Sequence, residues 1–106
     1  MNSTGGCFVV TLTYLVDLAS VDAVLDQHVE WLQRQYDQGI FLMSGRLEPR
    51  TGGVIIACGV TRAELESVLD DDPFRRDQLA EHDVAEFRPS MARSDIVAGI
   101  DRSQEV

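Results

Sequence analysis

SVDAVLDQHVEWLQRQYDQG, residues 20–39, is the helical stretch around which we expect the chain to be organised. At about 100° per residue, its apolar side chains form one stripe, which consists of Val21, Leu25, Val29, Leu32 and Tyr36, with Val24 at the edge. His28 lies near the middle of that stripe. Such a helix packs its stripe on a core, so we expect His28 to point inward and to need a hydrogen-bond partner. Ser20 suits the N-cap, and Gly39 suits the position just past the helix end.

Three strand-like stretches flank this helix along the chain. CFVVTLTYLV, residues 7–16, is rich in β-branched and aromatic residues, which favour a strand. IFLMSGRL, residues 40–47, is apolar without helical periodicity and too short for a second helix, and VIIACGV, residues 54–60, is the next predicted strand. Between them EPRTGG, residues 48–53, holds a proline and paired glycines that predict a reversal. The two strands are therefore expected to form an antiparallel hairpin.

The second half of the chain repeats the pattern of a helix followed by a strand. Thr61 and Glu64 form a capping-box pattern, and the helix that it opens has one apolar face, formed by Leu65, Val68 and Leu69. That helix is expected to end before Pro73, because a proline disfavours helical geometry in the residue that precedes it. Residues 74–81 are expected to add a short helical turn. VAEFR, residues 84–88, alternates apolar and polar side chains and predicts a fourth, partly exposed strand.

The resulting order, βαββαβ, predicts a ferredoxin-like α+β fold with an antiparallel sheet and both helices on one side of it. The strands nevertheless carry apolar residues on both faces. In the first two strands the opposed sets are Phe8, Val10, Leu12 and Tyr14 against Val9 and Leu15, and Ile40 and Leu42 against Phe41 and Met43. An uncovered apolar face marks an interaction surface, so we expect a homodimer in which two sheets pack face to face.

Length and charge restrict the function classes. A chain of 106 residues with 44% hydrophobic and 25% charged residues suits one domain, for which we expect residues 7–91, with an N-terminal extension at 1–6 and a tail at 92–106. Within the tail, Ile96, Val97 and Ile100 are candidates to dock on the domain or on a partner chain. The formal net charge of -9 opposes binding to nucleic acid or to an anionic membrane.

The cysteines and the N-terminus predict a cytoplasmic protein. Cys7 and Cys58 lie inside apolar runs without metal-type spacing, so we expect them to be reduced and buried. The first residues lack the basic and apolar regions of an export signal, and no apolar run approaches the roughly 18 residues needed to span a bilayer.

Three motifs in the same order resemble YciI-like (YCII-related) proteins, which are small dimeric α+β barrels. They are HVEWL with His28, GIFLMSG at residues 39–45, and the Asp72-Pro73-Phe74 run after the second helix. The resemblance covers about residues 8–91 and implies that His28 and Asp72 form a catalytic dyad. In the family the Ser-Gly pair usually continues into proline, whereas Arg46 stands here. We expect this arginine to supply a cation at the rim of the pocket for an anionic substrate.

Elementary chemistry agrees with that dyad. A carboxylate that accepts from one imidazole nitrogen fixes the tautomer and leaves the other nitrogen free to move a proton. The expected substrate-binding residues are Ser44, Gly45, Arg46, Pro73 and Phe74. No metal or other cofactor is expected, because the chain lacks a His/Cys cluster for zinc and a glycine-rich phosphate loop that opens a helix.

Each of these residues also has a structural interpretation. His28 could be a satisfied core histidine, Asp72 a turn carboxylate that accepts from backbone amides, and Ser44-Gly45 a bend in a strand. His82, in the polar stretch EHDVAE, is expected to be exposed. The functional alternatives are an enzyme that performs elimination, isomerisation or decarboxylation, and a non-catalytic ligand-binding or accessory dimer. The accessory module predicts an imidazole bonded to a backbone carbonyl with no pocket beside it.

Overall fold

Four strands and four helices make up the computed structural model, which describes residues 6–96. The strands are β1 (Gly6–Tyr14), β2 (Phe41–Arg46), β3 (Gly52–Val60) and β4 (Ala80–Phe87), and the helices are α1 (Leu18–Ala23), α2 (Leu25–Asp37), α3 (Arg62–Asp70) and α4 (Pro73–Arg76). The strands form one antiparallel sheet in the order β2-β3-β1-β4. The predicted ferredoxin-like α+β fold is therefore confirmed.

The core lies between the helices and one face of this sheet. β1 contributes Phe8, Val10 and Leu12, which alternate along the strand as predicted and are all buried. From β2, β3 and the helices the core receives Phe41, Ile55, Ala57, Val21, Trp31, Leu65, Leu69 and Phe74. A sheet with one covered face follows from the strict alternation of side chains along a strand.

The first predicted helix is divided in two and begins earlier than expected. Asp17, and not Ser20, is the N-cap, because its carboxylate accepts from the amide of Ser20 at 3.2 Å. The helical geometry breaks at Val24, whose φ and ψ are -116° and 11°. The expected end is confirmed, since Gly39 has a φ of 77° and its N–H donates to the carbonyl of Tyr36.

The buried stripe of α2 is rotated from the predicted one. Val29, which was expected on the core, is 50% exposed, whereas Trp31 is fully buried and donates its indole N–H to the carbonyl of Val68 at 3.1 Å. Burial of a tryptophan is most favourable when its N–H also finds an acceptor. The hydrogen bond between Trp31 and Val68 therefore favours the orientation of α2 in which Trp31, and not Val29, faces the core. The inward orientation of His28 is confirmed, with 8% of its surface exposed.

A β-bulge in β2 overturns the predicted alternation of that strand. Phe41 pairs with Ala57 and Met43 pairs with Ile56, so Leu42 is the extra residue. Phe41 is consequently buried under the helices while Met43 is 56% exposed on the opposite face, although both were predicted on one face. An inserted residue reverses the facing of every side chain that follows it. The bulge therefore places Met43 and the residues of β2 that follow it on the sheet face opposite to the predicted one.

The second half matches the prediction except at its end. The capping box of Thr61 and Glu64 is confirmed. α4 is a single short turn, and β4 begins at Ala80, four residues before the expected start at Val84. Because β4 pairs with β1 such that His82 lies opposite Leu12, the His82 side chain faces the helices. Its side chain is 0% exposed, and the predicted exposure of His82 is wrong.

The face away from the helices carries a disulfide that the sequence did not predict. Cys7 and Cys58, which lie on the neighbouring strands β1 and β3, are bonded to each other. The prediction of reduced thiols is therefore wrong, and the cytoplasmic location that it supported stays a prediction. Both cysteines are buried, as their apolar neighbours in the sequence predict. Burial does not distinguish a free thiol from a disulfide.

Part of the same face is lined by the last described residues of the chain. Six residues of the segment border an apolar groove that also includes Met43 and Phe87, and they are Pro89, Met91, Ala92, Arg93, Asp95 and Ile96. Val97 and Ile100 lie outside the described residues. Within the described part of the chain, no helix is long and apolar enough to span a membrane.

The disulfide predicts a measurable stabilisation. The bond joins residues 51 positions apart, so removing it enlarges the unfolded ensemble, and the Cys7→Ala/Cys58→Ala double variant should be less stable by about 2–4 kcal/mol. Denaturant unfolding measures this difference. A reducing agent should lower the stability of the parent protein and leave the double variant unchanged, whereas two titratable thiols in the unreduced, denatured parent protein would contradict the pairing.

Candidate functional site

A cleft of about 260 Å³ opens between α2, the β2–β3 hairpin and α4. Its apolar wall includes Leu32, Ile55 and Phe74, and the ionisable residues on it are His28, Arg46, Arg50 and Tyr14. This volume is slightly below the usual range of roughly 300–1,000 Å³ for ligand sites. The cleft therefore suits a small molecule.

His28 and Asp72 meet at one side of this cleft. His28 Nδ1 lies 2.8 Å from Asp72 Oδ1, although 44 residues separate the two in the chain. His28 lines the cleft, while Asp72 is fully buried behind it. Nδ1 of His28 is taken by the carboxylate, which leaves Nε2 as the second nitrogen of a ring that borders the cleft.

The local sequence around Asp72 explains its position. Asp72 is the N-cap of α4, and its Oδ1 accepts from the amide of Phe74 at 3.0 Å. Pro73 occupies the first helical position, where the missing N–H has no cost. The Phe74 ring stacks on the His28 ring with centroids 4.0 Å apart and an interplanar angle of 7°. The three residues thus cap a helix, aim a carboxylate and support an imidazole.

His82 completes the hydrogen bonding of the carboxylate, and sequence reasoning missed it. His82 Nε2 lies 2.7 Å from Asp72 Oδ2, so both oxygens of Asp72 are occupied by groups from α2, α4 and β4. A signal was present in the sequence. Had the alternation of the last strand been extended two residues before Val84, it would have placed His82 on the same face as Val84.

The electrostatics of Asp72 follow from this arrangement. Burial acts to raise the pKa of Asp72, but the hydrogen bonds from His28 and His82, the charge of His28 when it is protonated and the amide of Phe74 outweigh it. The net effect is a pKa below the ordinary value of 3.8. Asp72 is therefore a carboxylate at neutral pH, and each histidine donates an N–H to it.

The bulged strand β2 brings the other predicted residues to the cleft. Ser44 and Arg46 lie on the helix side of the sheet because of the bulge, and Ser44 is hydrogen-bonded to the hydroxyl of Tyr36 at 2.6 Å. A Cβ at Gly45 would meet no atom within 4 Å, so packing does not demand a glycine there, and Gly45 borders the cleft through its backbone. Among the predicted substrate-binding residues, Ser44, Gly45, Arg46 and Phe74 line the cleft, and the buried Pro73 does not.

Two arginines give the cleft its charge. Arg46 is at the rim, 3.3 Å from Glu48 and largely exposed. Arg50, which sequence reasoning did not single out, comes from the loop between β2 and β3, is bonded to Asp22 at 2.6 Å and lies 5.9 Å from the centre of the Tyr14 ring. None of the described residues that line the cleft is a carboxylate. In a chain of net charge -9, the lining of the cleft thus presents two cationic side chains, and their paired carboxylates lie outside it.

A metal centre finds no support in the described residues. Across residues 6–96, no group of three or more His, Cys, Asp and Glu side chains is arranged to hold a metal ion. The two histidines instead approach opposite oxygens of one carboxylate. The chemistry that this arrangement offers is proton transfer at the free edge of His28.

The sequence model of the YCII-related domain family matches residues 7–88 of the chain. The chain belongs to the YCII-related domain family. This agrees with the resemblance drawn from the His28 helix, the Ser44-Gly45 run and the Asp72-Pro73-Phe74 motif. The match includes all residues that line the cleft. A search of curated proteins gives no match.

The fold of this YCII-related domain is shared with an enzyme of known structure. That protein is 5-chloro-2-hydroxyhydroquinone dehydrochlorinase from Burkholderia phenoliruptrix AC1100, solved in complex with 2,5-dihydroxybenzoquinone. The TM-score is 0.67 at 16% sequence identity, and the alignment covers 77% of this chain and 93% of the other. At this identity the likeness establishes the fold.

The carboxylate of the YCII-related site predicts a specific loss of stability in acid. Because the pKa of Asp72 is lowered in the folded protein, its contribution is complete above the ordinary value and is lost as the pH falls through the folded-state value. Below about pH 4, the parent protein should therefore lose more unfolding free energy than the Asp72→Asn variant. Denaturant unfolding at several pH values measures both curves.

The control for the lost charge is Asp71→Asn, at an exposed neighbouring position. This variant should keep the acid dependence of the parent protein. At neutral pH Asp72→Asn should be less stable by about 1–3 kcal/mol, because its amide presents N–H groups where the histidines also donate. Parallel acid curves for the parent and Asp72→Asn would exclude the proposed ionisation of Asp72.

Proposed function

We propose that this YCII-related protein is a cofactor-independent enzyme that moves a proton on a small molecule, in a reaction of the lyase or isomerase type. The observation that carries the proposal is the His28 ring, which is held by Asp72 on Nδ1 and borders a cleft with its other edge. A non-catalytic accessory module predicted a ring bonded to a backbone carbonyl with no cleft beside it. The carboxylate partner and the cleft both favour the enzyme.

The proton chemistry follows from the tautomer. With Nδ1–H donated to the ionised Asp72, a neutral His28 carries a lone pair on Nε2 and can act as a general base. In an elimination it would take a proton from a C–H bond of the substrate, and the electron pair of that bond would form a double bond as the leaving group departs with its own pair. In an isomerisation the same nitrogen would return the proton to another atom.

The lining of the cleft favours an anionic substrate. Arg46 and Arg50 supply two cations, and Leu32, Ile55 and Phe74 supply an apolar wall. A small ring or chain with a carboxylate, phenolate or enolate oxygen combines these features. The dehydrochlorinase that shares the fold acts on a hydroxylated chlorinated ring, so an elimination that releases chloride is the first reaction to test.

His28→Gln and His28→Ala are the decisive variants. With chlorinated hydroxyhydroquinones and chlorinated 2,5-dihydroxybenzoates, which can lose HCl to give a quinone, as substrates and chloride release as the signal, we expect turnover by the parent protein and a rate about 10²–10⁴-fold lower in both variants. Matched neutral amides of the benzoates should react more slowly because they do not bind the arginines.

The control is Gln33→Ala, on the exposed side of α2, which should retain full activity. Circular dichroism and light scattering would establish that the histidine variants keep the fold and the assembly. Unchanged turnover in a folded His28→Ala protein would remove His28 from the chemistry, and an absence of turnover together with tight binding of 2,5-dihydroxybenzoquinone would favour the ligand-binding module.

We also propose that two copies of the chain form a homodimer through the sheet face opposite the helices. Met43 and Phe87 are 56% and 44% exposed on that face, and Val9 and Ile56 lie half-buried between them. Large apolar side chains gathered on one sheet face are typical of an interface. The resemblance to dimeric α+β barrels favours a second copy of the chain as the partner.

Light scattering during gel filtration tests the dimer. The parent protein at micromolar concentration should have twice the chain mass of 11.8 kDa. Met43→Glu should shift it towards the monomer, because the dimer would bury the introduced charge. The control Leu18→Glu, at an exposed position at the start of α1, should remain dimeric. A monomeric parent protein would contradict the proposal.

A further inference from the structure

The buried face of Asp72 holds a histidine for which the proposed chemistry has no use. His82 does not line the 260 Å³ cleft and its side chain is 0% exposed, so it cannot touch a substrate bound there. It nevertheless makes the shortest of the three hydrogen bonds to Asp72, at 2.7 Å. A buried polar side chain of this kind requires an explanation.

The proton on His82 can be placed from its surroundings. Asp72 Oδ2 is a carboxylate oxygen, so Nε2 of His82 must carry the proton that joins them. Nδ1 of His82 is buried and, within residues 6–96, has no hydrogen-bond partner. A proton on Nδ1 would leave a donor buried without an acceptor, which is unfavourable. His82 is therefore a fixed donor in the Nε2–H tautomer.

We propose that His82 is a positioning residue, which holds the Asp72 carboxylate against His28 and so fixes the tautomer with which His28 faces the cleft. Asp72 lies at the start of a single-turn helix, and the amide of Phe74 and the ring of His28 both bind the same oxygen, Oδ1. Among the described residues, His82 alone holds the other oxygen, Oδ2. Without that bond the carboxylate can rotate about its χ2 angle, and either oxygen can then leave Nδ1 of His28.

The catalytic meaning of this inference rests on the proposed function, but the placement of the protons does not. A general base at the cleft needs the Nε2 lone pair of His28, and only the Nδ1–H tautomer provides it. His82 thus acts two hydrogen bonds away from the substrate, in the manner of outer residues that orient a histidine ligand.

Nitrogen NMR of the full chain tests the proposal without any substrate. The chain has only two histidines, so long-range couplings from the ring protons identify the protonated nitrogen of each. On the high-pH plateau of a pH series, where the ring shifts no longer change with pH, we expect Nδ1–H for His28 and Nε2–H for His82. In His82→Leu we expect His28 to lose its predominant Nδ1–H form. In His82→Gln, whose side-chain amide can reach the position of Nε2, the Nδ1–H form should be retained.

Each arm of this experiment can overturn the proposal. A parent protein with His82 protonated on Nδ1 would contradict it, as would a folded His82→Leu protein in which His28 keeps the Nδ1–H form undiminished. Should His82→Leu fail to fold, the comparison passes to His82→Gln and His82→Asn, because asparagine is too short to reach Oδ2. Equal tautomers of His28 in those two variants would exclude a positioning role. Loss of activity in His28→Ala is measured separately, so failure of the catalytic proposal is distinguishable from failure of this one.

Discussion

The buried carboxylate of Asp72 is the constraint on which the site depends. Removing a charge from water is unfavourable unless hydrogen bonds replace the lost hydration, and Asp72 obtains three of them from His28, His82 and the amide of Phe74. These donors belong to α2, β4 and α4. The hydrogen bonds to the Asp72 carboxylate therefore connect α2, β4 and α4. One of the three donors is the His28 ring, which borders the cleft.

Local patterns determined most of the fold, and pairing between distant strands determined the rest. The alternation of Phe8, Val10 and Leu12, the capping box at Thr61 and the left-handed Gly39 are each encoded within a few residues, so they could be predicted. The bulge at Leu42 and the early start of β4 could not, because each depends on the register against β3 or β1. The disulfide could not be predicted either, because the sequence around Cys7 and Cys58 does not show that β1 and β3 are neighbours.

The same distinction applies to the site. His28 and Asp72 were found because an inward-facing histidine and an Asp-Pro-Phe turn are visible in the sequence, and the resemblance joined them. His82 was missed because a polar stretch indicates exposure until the pairing with Leu12 places it on the covered face. Arg50 was missed because the position of a hairpin loop over a helix is a tertiary property. Ser44 reaches the cleft only through the bulge, which ties the placement of the site to an irregularity in the sheet.

The charge of the chain gives the two arginines their significance. A protein of net charge -9 repels small anions at long range, and this repulsion weakens beyond roughly 8 Å in physiological salt. Within the cleft Arg46 and Arg50 are part of the lining and none of the described carboxylates is, although each arginine is paired with a carboxylate just outside the lining. The carboxylate that the chemistry requires lies behind His28 and is covered by hydrogen bonds, so it does not contact a substrate in the cleft. An anion would therefore meet positive groups at the rim and the free edge of the His28 imidazole inside.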